Sequence, residues 1–174
     1  LEGHYVIPGT GHEVHINYTE PAFVFVILTV ASTRPILHLA RVVLDGISKM
    51  VPLQGTLPFF VVALILGPLL GSFITEPAAM TVTALLLKRR LFDRDISQRL
   101  KYATLGLLFV NISIGGTLTN FAAPPVLMVA AKFEWDTMHM LTHFGWKAAI
   151  AVVLNTALIA TLFRQPLAAL QPPR

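Results

Sequence analysis

One ionisable side chain, Glu76, lies in an otherwise uncharged run that covers residues 51–87. A carboxylate inside the hydrocarbon core of a membrane is costly, and ionisable residues at that depth are usually functional. Thr75 and Pro77 flank it, and Pro77 lacks the main-chain N–H that the interior of a helix requires. We therefore predict that a membrane helix breaks at this point and that Glu76 has a functional role.

A second interruption is predicted in the next apolar stretch, over residues 115–125. Two broken helices in one chain are typical of the ion or substrate site of a secondary transporter. The carbonyls freed at the C-terminal end of a half-helix suit a cation, and the N–H groups freed at an N-terminal end suit an anion. The stretch combines four helix-breaking residues, Gly115, Gly116, Pro124 and Pro125, with three neutral hydrogen-bonding residues, Thr117, Thr119 and Asn120.

Neutral oxygens beside one carboxylate suit a small hard cation such as Na⁺. A carboxylate can hold a proton or a cation but seldom both, and this competition is the minimal chemistry of antiport. Thr81, Thr83 and Ser113 add further hydroxyls in the same stretches. We predict no cofactor and no metal site beyond the transported cation. The predicted ion ligands are Thr75, Glu76, Asn111, Thr117, Thr119 and Asn120.

Structural roles remain open for the same residues. Glu76 could instead pair with an arginine, or begin the helix that starts at Pro77, since proline is favoured in the first turn. Gly115 and Gly116 could form a close packing surface between helices, as small residues often do in membranes.

Composition identifies the solvent in which this chain folds. Hydrophobic residues make up 55% and charged residues 13% of the 174 residues, against about 25% charged in soluble proteins. We therefore predict an integral membrane protein. The net charge of +4 does not indicate nucleic acid, because the cations lie between apolar runs without interleaved aromatic residues. The absence of cysteine excludes disulfides and thiolate sites and suits a bacterial inner membrane.

The distribution of positive charge predicts the topology. If residues 57–87 cross the membrane once, the 13 Lys and Arg residues divide eight to five between the two sides. If these residues form a re-entrant hairpin, the division is eleven to two, which the positive-inside rule favours. We predict an external segment at 1–20, a transmembrane helix at 21–34, an interfacial amphipathic helix at 35–51, a re-entrant hairpin at 57–87 with its tip near 75–77, a basic cytoplasmic loop at 88–101, a broken transmembrane helix at 102–131, an external loop at 132–144 and a transmembrane helix at 145–163.

Two ordered motifs resemble a known family. Residues 73–81 read FITEPAAMT, and residues 111–120 read NISIGGTLTN before Pro124-Pro125. The pair resembles the Na⁺/H⁺ antiporter family of the ion transporter superfamily, which is related to the branch of arsenite-efflux pumps, sodium/proton antiporters and the melanosomal P protein. The resemblance implies an all-α membrane fold in which this chain supplies most of one inverted repeat. Glu76-Pro77 stands where that branch usually has Asp-Asn, so the resemblance does not identify the ion.

We predict a secondary transporter that exchanges a cation for protons, with Na⁺ leaving and H⁺ entering across a bacterial inner membrane. The alternatives are a sodium-coupled carboxylate symporter or an oxyanion efflux permease, which would use half-helix N-termini, and a non-transporting membrane scaffold. An enzyme is not expected, because no nucleophile-base pair, metal triad or phosphate loop lies at membrane depth. The chain begins at Leu1, and we expect it to be an excerpt of a longer protein. Its expected partners are the lipid bilayer, small inorganic cations and the missing second repeat, and a homodimer is left open.

Overall fold

Helices dominate the architecture of the chain. The computed structural model describes residues 2–6, 13–17, 25–26, 29 and 33–170. Half of the predicted external segment at 1–20 and most of the predicted transmembrane helix at 21–34 therefore lie outside the described residues. Seven helices follow from residue 34 onward: α1 (Arg34–Met50), α2 (Leu57–Ile74), α3 (Glu76–Leu87), α4 (Gln98–Gly115), α5 (Pro124–Phe133), α6 (Thr137–Leu162) and α7 (Arg164–Ala169).

Two of the described helices, α2 and α6, are long and apolar enough to cross a membrane. A π-helical turn, Leu141–Gly145, lies within α6, and a second one, Lys88–Phe92, extends α3. A 3₁₀ turn, Gly116–Leu118, follows α4. The prediction of a helical fold is confirmed, with two helices of the length and composition of a membrane span, while the re-entrant path of the hairpin and the inverted repeat stay predictions.

The N-terminal segment contains a small β-hairpin that the sequence analysis missed. Strand β1 (Glu2–Val6) pairs antiparallel with β2 (Glu13–Asn17), and Glu2 lies opposite Asn17. The alternation of polar and apolar residues in β2 is the period of a strand. Five residues are too few for that signal to stand out in a chain whose other apolar runs are helical.

Helix α2 occupies the centre of the fold. It packs against α1, α3, α4 and α6, and both faces are apolar, so buried side chains occur all around it. Phe60 and Leu64 are fully buried and meet Leu87 of α3 and Leu108 of α4 in one hydrophobic core. This core positions the ends of the broken helices.

Helix α1 is amphipathic, with one side against the core. Leu44 and Ser48 are buried, whereas Val43, Ile47 and Met50 are exposed. Apolar residues at this spacing form a stripe along one face of a helix. The stripe is exposed within the part of the chain that the structure describes, which is the arrangement expected of a helix that lies at a membrane surface.

Two helices begin earlier than the sequence predicts, because polar residues cap them. Ser97 accepts a hydrogen bond through Oγ from the N–H of Leu100 at 3.3 Å, and α4 therefore starts at Gln98. The carboxylate of Asp136 accepts from the N–H of His139 at 2.7 Å. Most of the loop predicted at 132–144 is consequently helical, and only residues 134–136 separate α5 from α6.

Candidate functional site: two helix breaks in contact

The first break is a single residue with an unusual backbone. Helix α2 ends at Ile74 and α3 begins at Glu76, and Thr75 between them has φ 84° and ψ 147°. A positive φ is strained for a β-branched residue such as threonine. Pro77 lies in the first turn of α3, where its missing N–H has no intrahelical partner to lose. The chain therefore leaves one helix and enters the next without a loop.

The second break, between α4 and α5, lies against the first. Ser72, which is fully buried near the end of α2, donates through Oγ to the carbonyl oxygen of Gly115 and accepts from the N–H of Leu118 at 3.0 Å. Its own carbonyl oxygen accepts from Oγ1 of Thr119 at 2.6 Å. These three main-chain groups are thus satisfied by side chains of the other break, as buried backbone requires.

A main-chain hydrogen bond joins the two breaks at a further point. The N–H of Glu76 donates to the carbonyl oxygen of Ala122 at 3.2 Å. Ala122 and Ala123 are buried in the segment that precedes α5. The two interruptions therefore form one structural unit, with Glu76 at their junction.

Glu76 is half-buried, and its carboxylate is held by a residue of α4. Ser113 donates through Oγ to Oε1 of Glu76 at 3.2 Å. Glu76 takes part in neither of the ion pairs seen among residues 33–170, which are Lys88–Asp93 and Arg90–Asp45. A pairing of Glu76 with an arginine, the first of the two structural alternatives, is therefore absent from the described residues. The second alternative, a helix start, agrees with the structure, because α3 begins at Glu76.

Thr75 has a hydroxyl without a partner. Its side chain is 7% exposed, and Oγ1 is buried with no hydrogen bond within the described structure. Leaving such a group unpaired costs about 1–3 kcal/mol. The strained backbone adds to this cost, and both kinds of unfavourable feature tend to occur at functional sites. Thr75 thus has an unpartnered hydroxyl oxygen in the residue that precedes Glu76.

Asn111 lies in a different environment from Glu76. Its side chain is fully buried, and its Nδ2 donates to the carbonyl oxygen of Leu64 and to Oγ1 of Thr156, both at 2.9 Å. Its Oδ1 accepts from Asn155 at 3.3 Å. These bonds connect α4 to α2 and α6, and none of them reaches Glu76. The structure therefore gives Asn111 a place in the packing of three helices, and a role as an ion ligand stays a prediction.

The remaining predicted ligands line the second break, and their observed hydrogen bonds go to the protein itself. Thr117 donates through Oγ1 to the carbonyl oxygen of Ile114 at 2.7 Å. The hydroxyl of Thr119 donates to the carbonyl oxygen of Ser72, as described above. Asn120 donates to the carbonyl oxygen of Trp135 at 3.1 Å and accepts from Thr137 at 2.8 Å, which ties the break to the start of α6.

The two glycines of the second break have different surroundings. A Cβ on Gly115 would lie 2.5 Å from the carbonyl oxygen of Pro68, so only glycine permits α4 to approach α2 this closely. A Cβ on Gly116 would lie 3.3 Å from Cβ of Ala123 and 3.8 Å from Oε2 of Glu76. Gly115 therefore serves packing, as the structural alternative suggested, and Gly116 borders the carboxylate.

A cavity of about 690 Å³ lies beside this unit, between α4, α5 and α6. Ser113 and Thr117 are on one wall, and Pro125, Trp135 and Lys147 are on others. Because Ser113 also contacts Glu76, the cavity leads to the hydroxyl that holds the carboxylate.

Sequence reasoning missed one residue of this unit and undervalued another. Ser72 was not singled out, although the small pair Gly71-Ser72 near the end of an apolar helix was a usable signal. Ser113 was counted only as one of several hydroxyls. The contact of Ser113 with Glu76 depends on how α4 packs against α3. No local sequence pattern predicts that packing.

Comparison with known proteins gives one match. A family model with the description "Putative Na+/H+ antiporter" matches residues 10–174, which is nearly the whole chain. No curated protein and no solved structure matches it. The family points to a membrane transporter rather than to an enzyme, in agreement with the two apolar helices of membrane length. The finer placement in the ion transporter superfamily, beside the arsenite-efflux branch, stays a prediction. The chain belongs to the Na⁺/H⁺ antiporter family that this model describes.

Proposed function

We propose that this protein exchanges Na⁺ for H⁺ across a membrane and that the carboxylate of Glu76 holds the two ions in turn. The observation that carries the proposal is the position of Glu76, a half-buried carboxylate at the junction of two broken helices, in neither ion pair of the described residues. A carboxylate in such a place is expected to bind a proton or a cation.

The neighbouring groups suit a sodium ion. Thr75 contributes a buried hydroxyl oxygen without a partner, and the last turn of α2 contributes main-chain carbonyls that lack intrahelical partners. The partial negative charge at the C-terminal end of α2 also favours a cation. Oxygen ligands of this kind, neutral except for one carboxylate, match a small hard cation.

Competition between the two ions on one group produces exchange. When Na⁺ is bound, its charge disfavours protonation of Glu76, and when Glu76 is protonated, it no longer attracts Na⁺. Ser113 orients the carboxylate through Oγ and can follow either form, because a hydroxyl is both a donor and an acceptor.

We further propose that Na⁺ leaves and H⁺ enters across a bacterial inner membrane, and that a second repeat of the same polypeptide completes the alternating-access cycle. The carboxylate at the junction disfavours the alternative of carboxylate symport or oxyanion efflux, because Glu76 would repel an anion in the same site.

Substitution of Glu76 tests the proposal. In the full-length protein reconstituted into vesicles, Glu76→Gln keeps the size of the side chain and removes its charge, so Na⁺-driven proton flux should fall to the level of protein-free vesicles. Glu76→Asp should retain part of the activity. Glu134→Gln, the same change at an exposed position between α5 and α6, should leave the flux unchanged. Exchange by Glu76→Gln at the wild-type rate and pH dependence would overturn the proposal.

A further inference from the structure

We propose that a polar pocket at the other end of the α2–α3 pair binds the phosphate of an anionic phospholipid. The pocket has a volume of about 540 Å³ and is bounded by the end of α1, the start of α2 and the turn after α3. Helix α2 has 18 residues, so the pocket lies about 25 Å from Glu76 at ~1.5 Å per residue. It is thus separate from the proposed ion site, and the inference does not depend on that proposal.

Arg90 is held in a fixed orientation in this pocket. Its Nη2 donates to Oδ2 of Asp45, and its guanidinium carbon lies 4.9 Å from the centre of the Phe59 ring. A guanidinium has five N–H donors, and those not used by Asp45 can serve a second acceptor. An arginine oriented by an ion pair and an aromatic ring is well suited to a phosphate group.

The accessible charge of the pocket is positive. Lys49 and Arg90 contribute two positive charges, and Asp45 contributes one negative charge. The second carboxylate oxygen of Asp45, Oδ1, is buried and has no hydrogen-bond partner within the described structure. The other oxygen, Oδ2, accepts from Arg90, so this pair is neutral overall and the remaining charge of the pocket is that of Lys49. An anionic headgroup is favoured over a zwitterionic one, whose own cation would lie near Lys49 and Arg90.

An exposed apolar surface adjoins the pocket. Val42 is 54% exposed and lies three residues before Asp45 and seven before Lys49, on the same side of α1 as these two pocket residues. Leu53 is 42% exposed and lies on the wall of the pocket itself. Acyl chains attached to a phosphate in the pocket would cover this surface, whereas a soluble phosphate would leave it exposed to water. The neighbouring surface therefore indicates a phospholipid as the source of the phosphate.

Lipid retention by the full-length protein tests the inference. The protein, solubilised in detergent, would be mixed with equal amounts of phosphatidylglycerol and phosphatidylcholine with the same acyl chains, and bound lipid would be counted by native mass spectrometry. Wild type should retain phosphatidylglycerol preferentially. Lys49→Gln removes one charge-assisted contact and should lower this retention about tenfold. Lys49 is exposed, and the fold should tolerate the change.

Lys88→Gln is the matched control. Lys88 is also exposed and basic, but it pairs with Asp93 outside the pocket, so its substitution should leave lipid retention unchanged. Equal losses in both variants would mean that only general surface charge attracts lipid and would overturn the inference. Equal retention of the two lipids by wild type would overturn it as well. Displacement of the lipid by an equal concentration of glycerol 3-phosphate would show a site for soluble phosphate and would reject the lipid assignment.

Discussion

Ser72 donates a hydrogen bond through Oγ to the main-chain carbonyl of Gly115, and this bond joins the end of α2 to the end of α4. The same hydroxyl accepts from the N–H of Leu118. One buried side chain therefore satisfies the last carbonyl of α4 and an N–H of the 3₁₀ turn that follows it.

The glycine pair beside this contact should separate folding from ion binding. Gly115→Ala places a methyl group 2.5 Å from the carbonyl oxygen of Pro68, and overpacking of this kind should lower the free energy of unfolding by about 1–3 kcal/mol. Gly116→Ala places a methyl group 3.8 Å from Oε2 of Glu76, so it should lower the affinity for Na⁺ about fivefold, or ~1 kcal/mol. Thermal unfolding in detergent with and without Na⁺ measures both effects. Equal destabilisation by the two variants with unchanged Na⁺ affinity would assign both glycines to packing alone.

Thr75→Val tests the unpartnered hydroxyl, because valine keeps the branched shape and removes only the oxygen. Without Na⁺, the stability should stay the same or rise by up to about 1 kcal/mol, since an unsatisfied buried group is removed. Na⁺ affinity should fall about tenfold, because one ligand is lost. The stabilisation of the protein by Na⁺, with choline chloride as the salt control, measures this affinity.

Thr104→Val is the control for this substitution. Thr104 is also fully buried, and its hydroxyl donates to the carbonyl oxygen of Leu100 within α4. It should leave the Na⁺ response unchanged. Wild-type Na⁺ affinity in Thr75→Val would show that Thr75 is not an ion ligand.

Asn111→Leu and Thr156→Val should act on stability. Each removes a hydrogen bond between α4 and α6, and the first also leaves the carbonyl oxygen of Leu64 without its Asn111 donor. We expect each change to lower the free energy of unfolding by about 2 kcal/mol, while the Na⁺ response of the folded protein is retained. Loss of Na⁺ affinity in Asn111→Leu but not in Thr156→Val would instead support Asn111 as an ion ligand.

Cysteine labelling tests the predicted hairpin topology, and these 174 residues contain no cysteine of their own that would react. Lys49→Cys and Asp95→Cys should react with an impermeant maleimide from the same, cytoplasmic side, and Lys132→Cys should react from the opposite side. All three residues are exposed. Ser48 is unsuitable, because it is buried and its Oγ donates to the carbonyl of Leu44. Labelling of Lys49→Cys and Asp95→Cys from opposite sides would show that α2 and α3 together cross the membrane.

The sequence determined the features that depend on local chemistry. Its hydrophobic composition indicated that the chain folds in a membrane. Pro77 and the paired prolines after Gly115-Gly116 indicated the interruptions, because proline is favoured in the first turn of a helix and so marks a helix start. Pro68, by contrast, lies inside α2, which continues past it. The helical spacing of apolar residues indicated the amphipathic α1. The capping residues Ser97 and Asp136 are single polar side chains and indicate a helix start less strongly. The starts of α4 and α6 were therefore predicted too late.

Only the tertiary structure decided which residues meet. Asn111 and Ser113 lie two positions apart on α4, yet Ser113 contacts Glu76 while Asn111 bonds to α2 and α6. Residues two apart on a helix point in nearly opposite directions, so the rotation of α4 against its neighbours assigns their roles. That rotation is set by packing between segments far apart in the chain, such as Gly115 against Pro68. The sequence thus supplied the carboxylate and the breaks, and the packing of α2 against α4 decided which hydroxyl lies beside that carboxylate.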